Sequence, residues 1–519
     1  MLPDDVLLEI FDFYVNEEVD GEDVDDEDVD EDVREDMRED AREDVDEDVR
    51  QDVRQDVDEG EDEDEDVDED FELSEKQIIE EWITLAHVCR RWRRVVFQSP
   101  RRLNLRLFCT TKTCTRDTLD IWPPLPLIVH DFRDIFDGEL SSSDNLIAAL
   151  EHNDRVCQIK LRYLTSLQMG YVTDSAAMRK PFLELTHLQL GMFVHDGPGP
   201  ILPDSFLGGT APRLQSLDLC DVPFPGLPKL LLSTTHLVKL DLYAIPRSGY
   251  IPPEAMVTSL SALTNLEFLR LRFRYPRPHP ALEGRRLSPP PLTRSIIPSL
   301  IKIEFKGASE YLEKILARID APRLNILHIT FFNQIIFDTP QLFQFISRRP
   351  TLRAPEKGHI EFSSEAVIAK FPSQTSDYDV LTVPILCTTS EWQLSSLEQV
   401  CTSSLPPVST LEDLYIVEDG GYPPRWQDDV ENTLWLELLH PFAALKNLYL
   451  CEKFEPRIAP ALQELVGGRT TEALPTLENI FLEGLRPSRP LHEGIDKFVA
   501  ARQFTSHPVA VSRWDRKTG

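Results

Sequence analysis

Histidine, cysteine and acidic side chains are the groups from which this chain could build a catalytic or metal site. None of the twelve histidines belongs to an H-E-x-x-H motif, and no other metal-ligand grouping is evident. Single histidines such as His187, His236 and His328 fall within predicted strands, where we expect surface or core positions. The sequence also has no G-x-S-x-G elbow and no phosphate-cradling glycine loop. It therefore predicts a chain that is not an enzyme and uses no cofactor or metal.

The eight cysteines are scattered along the chain, and none forms a C-x-x-C pair. This spacing favours reduced thiols over a disulfide framework or a zinc site. The residues after Met1 include neither a basic n-region nor an apolar h-region. No run approaches the roughly 18 apolar residues that a membrane helix needs. We therefore expect a cytoplasmic or nuclear protein that has no membrane partner.

Acidic residues concentrate in one tract, residues 16–70, which holds 34 Asp and Glu against five Arg. The tract has a net charge of −29, so the rest of the chain accounts for only −7 of the total −36. Negative charge on this scale repels nucleic acids and anionic membranes, and neither is an expected partner.

The repeat within the tract cannot build a core. Small apolar residues recur every four residues from Val29 to Val57. Because a helix has 3.6 residues per turn, the stripe drifts by about 40° per repeat and no fixed apolar face forms. Gly21 and Gly60 are its only glycines, and neither follows the ligand spacing of a calcium loop. We predict a disordered low-complexity insert at 16–71; the alternative is an acidic segment that contacts a basic partner.

The segments on either side of the tract have the apolar periodicity of amphipathic helices. Before it, Pro3 suits a first helical turn, and one face holds Val6, Leu7, Ile10, Phe11 and Tyr14. After it, the pattern predicts one helix from a cap at Ser74 to a stop at Pro100. The arginines around Trp92 are predicted to form a solvated face, with nucleic-acid contact as the less favoured alternative. Short amphipathic helices need each other or a partner to fold.

Joined across the tract, these segments read L-P-D-D-V-L-L-E-I-F-D-F-Y and then W-I-T-L-A-H-V-C-R-R-W-R-R-V-V. The two-part sequence resembles the F-box motif, most closely that of basidiomycete-type fungal F-box proteins. The resemblance implies a small helical module that docks on the Skp adaptor and, through it, on a cullin. The matching positions, implied as the adaptor-binding surface, are Leu2, Pro3, Ile10, Phe11, Leu85, Val88, Cys89 and Trp92. The alternative for each of them is packing between the helices.

An apolar-x-x-apolar-x-apolar pattern recurs ten times, at irregular spacing, between residues 156 and 482. Its copies are VCQIKL, LTHLQL, LQSLDL, LVKLDL, LEFLRL, LIKIEF, LNILHI, LEDLYI, LKNLYL and LENIFL. Degenerate copies lie near residues 127, 360 and 383. Apolar-striped segments such as SSDNLIAALEHND and TPQLFQFISRR follow as helices, so strand and helix alternate. This predicts parallel strands inside and helices outside, and it resembles an irregular leucine-rich-repeat solenoid.

Together these features predict an α/β chain with four regions. They are an F-box module at 1–105 with its insert, a connecting region at 106–150 with a first repeat-like unit, a solenoid at 151–485, and a C-terminal tail or cap at 486–519. The proline- and arginine-rich segment 274–294 is predicted to be an exposed basic loop, and the alternative is a loop that contacts the acidic tract or a substrate.

The resemblance implies the substrate-recognition subunit of an SCF-type cullin–RING ubiquitin ligase, with the repeats binding an unknown protein substrate. The alternative is a non-ligase scaffold whose F-box is disrupted by the insert. The substrate-binding residues are unknown. The sequence offers only the polar residues between the last two apolar positions of several repeats, which we predict to be exposed: Gln189, Asp218, Asp241, Arg270, Glu304 and His328. The alternative for each of them is a solvated position that binds no substrate.

Overall fold

A computed structural model divides the chain into two compact units that meet in the sequence at Ile251 and Pro252. We call them the N-terminal unit and the C-terminal unit. The structure describes residues 3–15, 83–99, 103, 105–110, 115–130, 143–193, 199–274, 294–332, 337–353, 355–372, 379–387, 389–403, 405–419, 424, 431–466, 473–484, 491–503 and 508–514. The predicted acidic insert and most of the predicted basic loop lie outside these residues.

Helices are short throughout the described residues. The N-terminal unit contains α1 (Asp4–Val15), α2 (residues 83–88), α3 (Arg90–Gln98), α4 (Thr115–Ile121), α5 (Ser143–Leu150), α6 (Ser166–Asp174) and α7 (Leu227–Leu231). The C-terminal unit contains α8 (Pro253–Leu260), α9 (Ser309–Leu316), α10 (Pro340–Ser347), α11 (Pro350–Arg353), α12 (Ser390–Ser403), α13 (Asn432–Leu439), α14 (Glu455–Glu464) and α15 (Glu493–Arg502). Short 3₁₀ turns lie at Ala177–Arg179, Phe206–Gly209, Arg247–Gly249 and Pro406–Thr410.

Strands alternate with these helices along the chain. Those of the N-terminal unit are β1 (Leu107–Cys109), β2 (Leu127–His130), β3 (Val156–Leu164), β4 (His187–Met192), β5 (Ser216–Cys220) and β6 (Lys239–Ile245). Those of the C-terminal unit are β7 (Phe268–Phe273), β8 (Ser295–Ile296), β9 (Lys302–Gly307), β10 (Ile319–Asp320), β11 (Ile326–Phe331), β12 (Lys357–Phe362), β13 (Ala366–Pro372), β14 (Asp379–Leu386), β15 (Asp413–Glu418), β16 (Asn447–Leu450), β17 (Asn479–Glu483) and β18 (Ala510–Trp514).

The N-terminal unit builds one parallel sheet, in which β1 to β6 lie side by side in chain order. The repeat pattern explains the register, because the same apolar position of each copy pairs with that of the next. Leu188 lies beside Leu217 and Leu217 beside Leu240, and all three are buried. A repeat can therefore vary in length between strands without moving its leucines out of line.

The C-terminal unit follows the same principle, and its strands are ordered β7-β9-β11-β14-β13-β12-β15-β16-β17-β18. The α13, α14 and α15 helices contact one another in sequence and form a layer against the strands. All ten predicted repeat cores coincide with strands of the two units, and both predicted helices are present as α5 and α10. The α/β architecture with parallel strands and a helical layer is therefore confirmed.

The expectation of uniformly parallel strands is wrong at β13, which runs antiparallel to both β12 and β14. The degenerate copies near 360 and 383 are strands, but an unpredicted strand joins them into a meander. The chain reverses in a tight turn where the Ser363 hydroxyl accepts the Ala366 N–H at 2.9 Å. From α12, the Gln393 amide donates to the carbonyls of Ser363 and Cys387, each at 2.9 Å, and fixes both ends of this insertion.

The segment predicted as a C-terminal tail or cap contains α15 and β18, and β18 extends the sheet beside β17. Its sequence AVSRW lacks the leucine pattern, so the repeat count from the pattern stops one strand early. The predicted domain boundaries remain predictions.

Candidate functional site

The two segments that flank the acidic tract pack together in the N-terminal unit. The Phe11 ring of α1 is fully buried, and its centroid lies 4.7 Å from that of Trp92 in α3. Leu7 and Leu85 are also buried. At the edge of this core, the Arg91 guanidinium donates to the Asp4 carboxylate at 2.6 Å and 3.0 Å. We call this assembly of α1, α2 and α3 the helical module.

The prediction of a single helix after the tract is wrong, because Cys89 interrupts the helix and separates α2 from α3. Cys89 is extended, with φ −159° and ψ 168°, and its sulfur accepts the backbone N–H of Trp92 at 3.4 Å. The Arg93 Nε group also crosses the break and donates to the carbonyl of Ala86 at 3.0 Å. The predicted solvated arginine face is therefore only partly present, since Arg91 and Arg93 bind other parts of the module.

The structure separates the predicted adaptor-binding residues into two sets. Phe11 and Leu85 are buried and Trp92 is half-buried, so these three hold the helices together. Exposed positions are Pro3, Ile10, Val88 and Cys89; Ile10 is 47% exposed and Val88 is 55% exposed. Leu2 lies outside the described residues.

The exposed apolar residues of α1, together with Pro3 just before it, share one helical face. Pro3, Val6 and Ile10 are spaced i, i+3 and i+7, which places them along one side, while Leu7 and Phe11 occupy the buried side. The predicted single apolar face is thus two adjacent stripes. One closes the core of the module and the other leaves apolar surface in water.

Trp122, just after α4, joins the helical module to the repeats within the N-terminal unit. Its ring centroid lies 6.0 Å from that of His87 and 5.9 Å from that of Phe97, with edge-to-face geometry in both contacts. Edge-to-face aromatic pairs have a preferred orientation, so these contacts restrain the module against the first strands.

A second candidate surface is the sheet face opposite the helix layer, which we call the open face. Side chains alternate along a strand, so the residue between two buried leucines points to this face. In the N-terminal unit, the register aligns Lys160, Gln189, Asp218 and Asp241 in one row. The Gln189 amide donates to the Asp218 carboxylate at 3.1 Å. The predicted polar positions thus lie side by side in this unit, but the predicted exposure of Asp241 is wrong, because its side chain is buried.

The open face of the C-terminal unit has a longer row. In spatial order, the register aligns Arg270, Glu304, His328, Thr382, Lys370, His359, Tyr415, Tyr449, Phe481 and Ser512. Sequence reasoning named only the first three. Thr382, Lys370 and His359 were missed because the antiparallel strand and its two neighbours depart from the repeat. Tyr415, Tyr449 and Phe481 occupy the equivalent position of their copies but are aromatic, and Ser512 lies in a strand without the pattern.

Four neighbouring members of this row form a stack of aromatic rings. The centroid distances are 4.4 Å for His359–Tyr415, 4.1 Å for Tyr415–Tyr449 and 4.5 Å for Tyr449–Phe481, with interplanar angles of 10° or less. Trp514 contacts Tyr415 and Tyr449 edge-on. Burial raises the pKa of Tyr415 above its ordinary value. The stack is signalled in the sequence by aromatic residues at the fifth position of LEDLYI, LKNLYL and LENIFL.

At the other end of the row, Glu304 is the centre of a cluster of charged side chains. It is only 2% exposed, and Arg270 Nε and Arg272 Nη2 lie 2.6 Å and 3.1 Å from its Oε2. Lys302 Nζ lies 3.0 Å from Oε1. Burial alone would raise the pKa of this carboxyl, but the three cations outweigh it and lower the pKa to about 2. Glu304 is therefore ionised at every physiological pH.

The histidines do not converge on a site in the described ranges. His187 and His328 lie in strands as predicted, whereas His236 is exposed in the turn before β6, which corrects its predicted strand position. Within the described residues, no group of three or more His, Cys, Asp or Glu could hold a metal ion. None of the described helices combines the length and apolar content that a bilayer crossing requires.

No protein-family model matches this chain, and no curated protein matches it. Among solved structures, it is similar to the leucine-rich repeat-containing protein LegL7 from Legionella pneumophila. The two are 14% identical, the match covers 76% of this chain and 97% of that chain, and the TM-score is 0.25. A TM-score of this size carries no weight, so the fold assignment depends on the strand order and register given above.

Proposed function

We propose that this chain is the substrate-recognition subunit of an SCF-type cullin–RING ubiquitin ligase. In this proposal the helical module docks on the Skp adaptor, and the open faces of the repeats bind a protein substrate. The chain itself is a non-catalytic receptor and needs no cofactor. The observation that carries the proposal is the stripe of exposed apolar residues on a module whose own core is already closed.

The two sets of motif residues have different roles in this proposal. Phe11, Leu85 and Trp92 pack the module, and Pro3, Ile10 and Val88 present apolar surface to the adaptor. Burying one such side chain contributes roughly 1.5–3 kcal/mol. Those contributions are gained only when a partner covers the stripe. Because single exposed apolar residues are common on any protein, it is their grouping on motif positions that supports docking.

The test is copurification of the Skp adaptor and cullin with the full chain and with two variants, Ile10→Asp and Val88→Asp. Both positions are exposed, so the charge should abolish adaptor recovery without unfolding the module. The matched control is Ile121→Asp, an apolar residue that is 73% exposed in α4 of the same unit. It should retain the adaptor. Absence of the adaptor from the wild-type preparation would refute the proposal.

Deleting residues 16–70 separates this proposal from the non-ligase scaffold. A receptor should bind the adaptor both with and without the tract, because α1 and α3 pack together in the full chain. A chain whose F-box is disrupted by the insert would bind the adaptor only after the deletion.

A further inference from the structure

A row of hydrogen-bonded polar side chains runs beside the aromatic stack on the open face of the C-terminal unit. The register aligns Asp413 of β15, Asn447 of β16 and Asn479 of β17, each two residues before a stacked ring of the same strand. The Asn447 amide donates to the Asp413 carboxylate at 2.6 Å, and the Asn479 amide donates to the Asn447 oxygen at 2.8 Å. We call these three residues the amide ladder. Because residues i and i+2 of a strand point to the same face, the ladder and the stack form one surface.

The carboxylate of Asp413 fixes the direction of each hydrogen bond in the ladder. A carboxylate can only accept, so Asn447 turns its NH₂ group toward β15 and its oxygen toward Asn479. Asn479 then donates to that oxygen. Its own oxygen and the second oxygen of Asp413 have no hydrogen-bond partner in the described part of the chain. All three side chains are half-buried and keep contact with solvent, so the ladder presents an acceptor at each end.

The surroundings of the ladder have more negative than positive charge. Lys446 pairs with Glu412 at 2.8 Å, and its pKa is raised by this hydrogen bond and by the charges of Glu412, Glu478 and Asp413. One ammonium group is therefore shared by three carboxylates. Lys357, beside Asp413 in the register, is exposed and forms no ion pair with a described residue. Three carboxylates against these two cations leave a net charge of −1.

The aromatic side of the surface contains an unsatisfied donor and a further carboxylate. Trp514 is only 9% exposed and contacts Tyr415 and Tyr449 edge-on. Its buried indole N–H has no hydrogen-bond partner among the described residues, which is uncommon for a buried polar group. Glu483, which lies beside Trp514 in the register, is half-buried and forms no ion pair within the described ranges. The surface therefore has carboxylates in excess of cations and a donor that lacks an acceptor.

We propose that this surface binds a basic segment of a partner protein, with an arginine at the amide ladder and an apolar side chain against Tyr449 and Phe481. A guanidinium group has five N–H donors in a rigid fork and keeps its charge, so it suits a row of acceptors that ends in a carboxylate. The half-buried rings of Tyr449 and Phe481 supply apolar area beside it. A backbone carbonyl of the segment would be the acceptor that the Trp514 N–H lacks. The ladder crosses three strands, about 10 Å, which corresponds to about three residues of an extended segment.

This inference names the substrate class of the proposed receptor and in that respect rests on the proposed function. Its test is fluorescence anisotropy of labelled peptides with the full chain. One peptide alternates arginine and leucine, a second has citrulline, the uncharged isostere of arginine, at each arginine, and a third has serine at each leucine. The arginine–leucine peptide should bind about tenfold more tightly than the citrulline peptide and about threefold more tightly than the serine peptide.

The variant Asp413→Asn removes the charge of the ladder and keeps an oxygen that can accept the Asn447 amide. It should weaken binding of the arginine–leucine peptide about tenfold. The matched control is Asp218→Asn in the N-terminal unit. Asp218 also lies in an open-face row and accepts a side-chain amide of the neighbouring strand, from Gln189 at 3.1 Å. This control should leave peptide binding unchanged, and thermal unfolding should show that both variants are folded.

The acidic tract at 16–70 also attracts cations, so each measurement is repeated with these residues deleted. Binding at the ladder should survive the deletion and remain sensitive to Asp413→Asn. The proposal would be overturned by binding that the deletion abolishes, by equal affinities of Asp413→Asn and wild type, or by equal binding of the arginine and citrulline peptides.

Adaptor copurification with Asp413→Asn separates this inference from the proposed function, because the variant should recover the adaptor in full. A wild-type chain that recovers the adaptor but binds no arginine peptide would refute this inference alone. A wild-type chain that binds the peptide at the ladder without recovering the adaptor would refute the proposed function alone.

Discussion

Glu313 should make the stability of the C-terminal unit depend on pH. This carboxylate in α9 accepts the backbone N–H groups of Gln341 at 2.8 Å and Leu342 at 2.7 Å, at the start of α10. Thr339, at the N-cap position of α10, makes no side-chain capping bond, so Glu313 caps that helix from its neighbour. Burial raises the pKa of Glu313 from 4.5 to about 7, although the two N–H groups oppose the rise.

The direction of the effect follows from the raised pKa. The folded unit binds the Glu313 proton more tightly than the unfolded chain does, so protonation favours folding. The resulting stabilisation is complete below about pH 4.5 and is lost as the pH rises through about 7. A pKa that rises from 4.5 to about 7 corresponds to about 3 kcal/mol of folding free energy, which is lost at high pH.

The assay is urea unfolding of wild type and Glu313→Gln at several pH values, combined with hydrogen exchange of the Leu342 amide. Between about pH 5 and pH 8, the wild type should lose stability that the neutral glutamine variant does not lose. The single oxygen of the glutamine amide can replace one of the two carboxylate oxygens but not both. The free energy of unfolding of the variant at low pH should therefore be about 1 kcal/mol lower than that of the wild type.

The matched control is Glu310→Gln, an exposed glutamate one turn earlier in α9. It should reproduce the wild-type pH dependence. Parallel curves for wild type and Glu313→Gln would refute the reasoning, because they would mean that the two N–H donors, rather than burial, dominate the pKa of Glu313.

Three further predictions concern packing. Phe11→Ala should cost about 3–5 kcal/mol in calorimetry of the N-terminal unit, since its ring is buried against α3, whereas exposed Val6→Ala should change little. Gly494→Ala should destabilise the chain by more than about 1 kcal/mol, because a Cβ there would lie 2.3 Å from a backbone carbonyl oxygen of α14. Gly170→Ala in α6 should instead stabilise the chain by about 0.5–1 kcal/mol, because its Cβ would meet open space. Arg502→Met should reduce the free energy of unfolding by about 2–4 kcal/mol, because the buried guanidinium donates to three backbone carbonyls just before β17. The variant should have a lower melting temperature and faster amide exchange in β17. Similar effects of the two glycine variants, or unchanged exchange in Arg502→Met, would contradict these contacts.

The repeat strands could be predicted because the apolar positions of each copy of the pattern are the positions that become buried. Leu188 and Leu217 occupy the same position of successive copies, and parallel pairing then aligns them without further information. The β13 strand could not be predicted in this way, since AVIAKFP fits a strand but does not specify its direction. Its direction depends on the Ser363 turn and on Gln393, which is far away in sequence.

Prediction also failed at positions where one side chain decides the local structure. Cys89 falls within an apolar stripe at helical spacing, yet it ends α2 and caps α3 through its sulfur. Helical periodicity is the same on both sides of such a break and so cannot reveal it. Glu304 has the pattern of an exposed strand residue, and its burial depends on cations contributed by the preceding strand.

The polar contacts between repeats share a property that limits how far a substitution can act. Glu313 and Leu342 are 29 residues apart, Arg349 and its ion-pair partner are also 29 apart, and Arg502 and Leu477 are 25 apart. Each separation is about one repeat, so side chains mainly satisfy groups of the adjacent repeat. Stability is then a sum of local terms, and a substitution at one contact between repeats should destabilise mainly the adjacent repeats. Polar contacts of the open face follow the same spacing, since Gln189 and Asp218 are 29 residues apart and Arg270 and Glu304 are 34 apart.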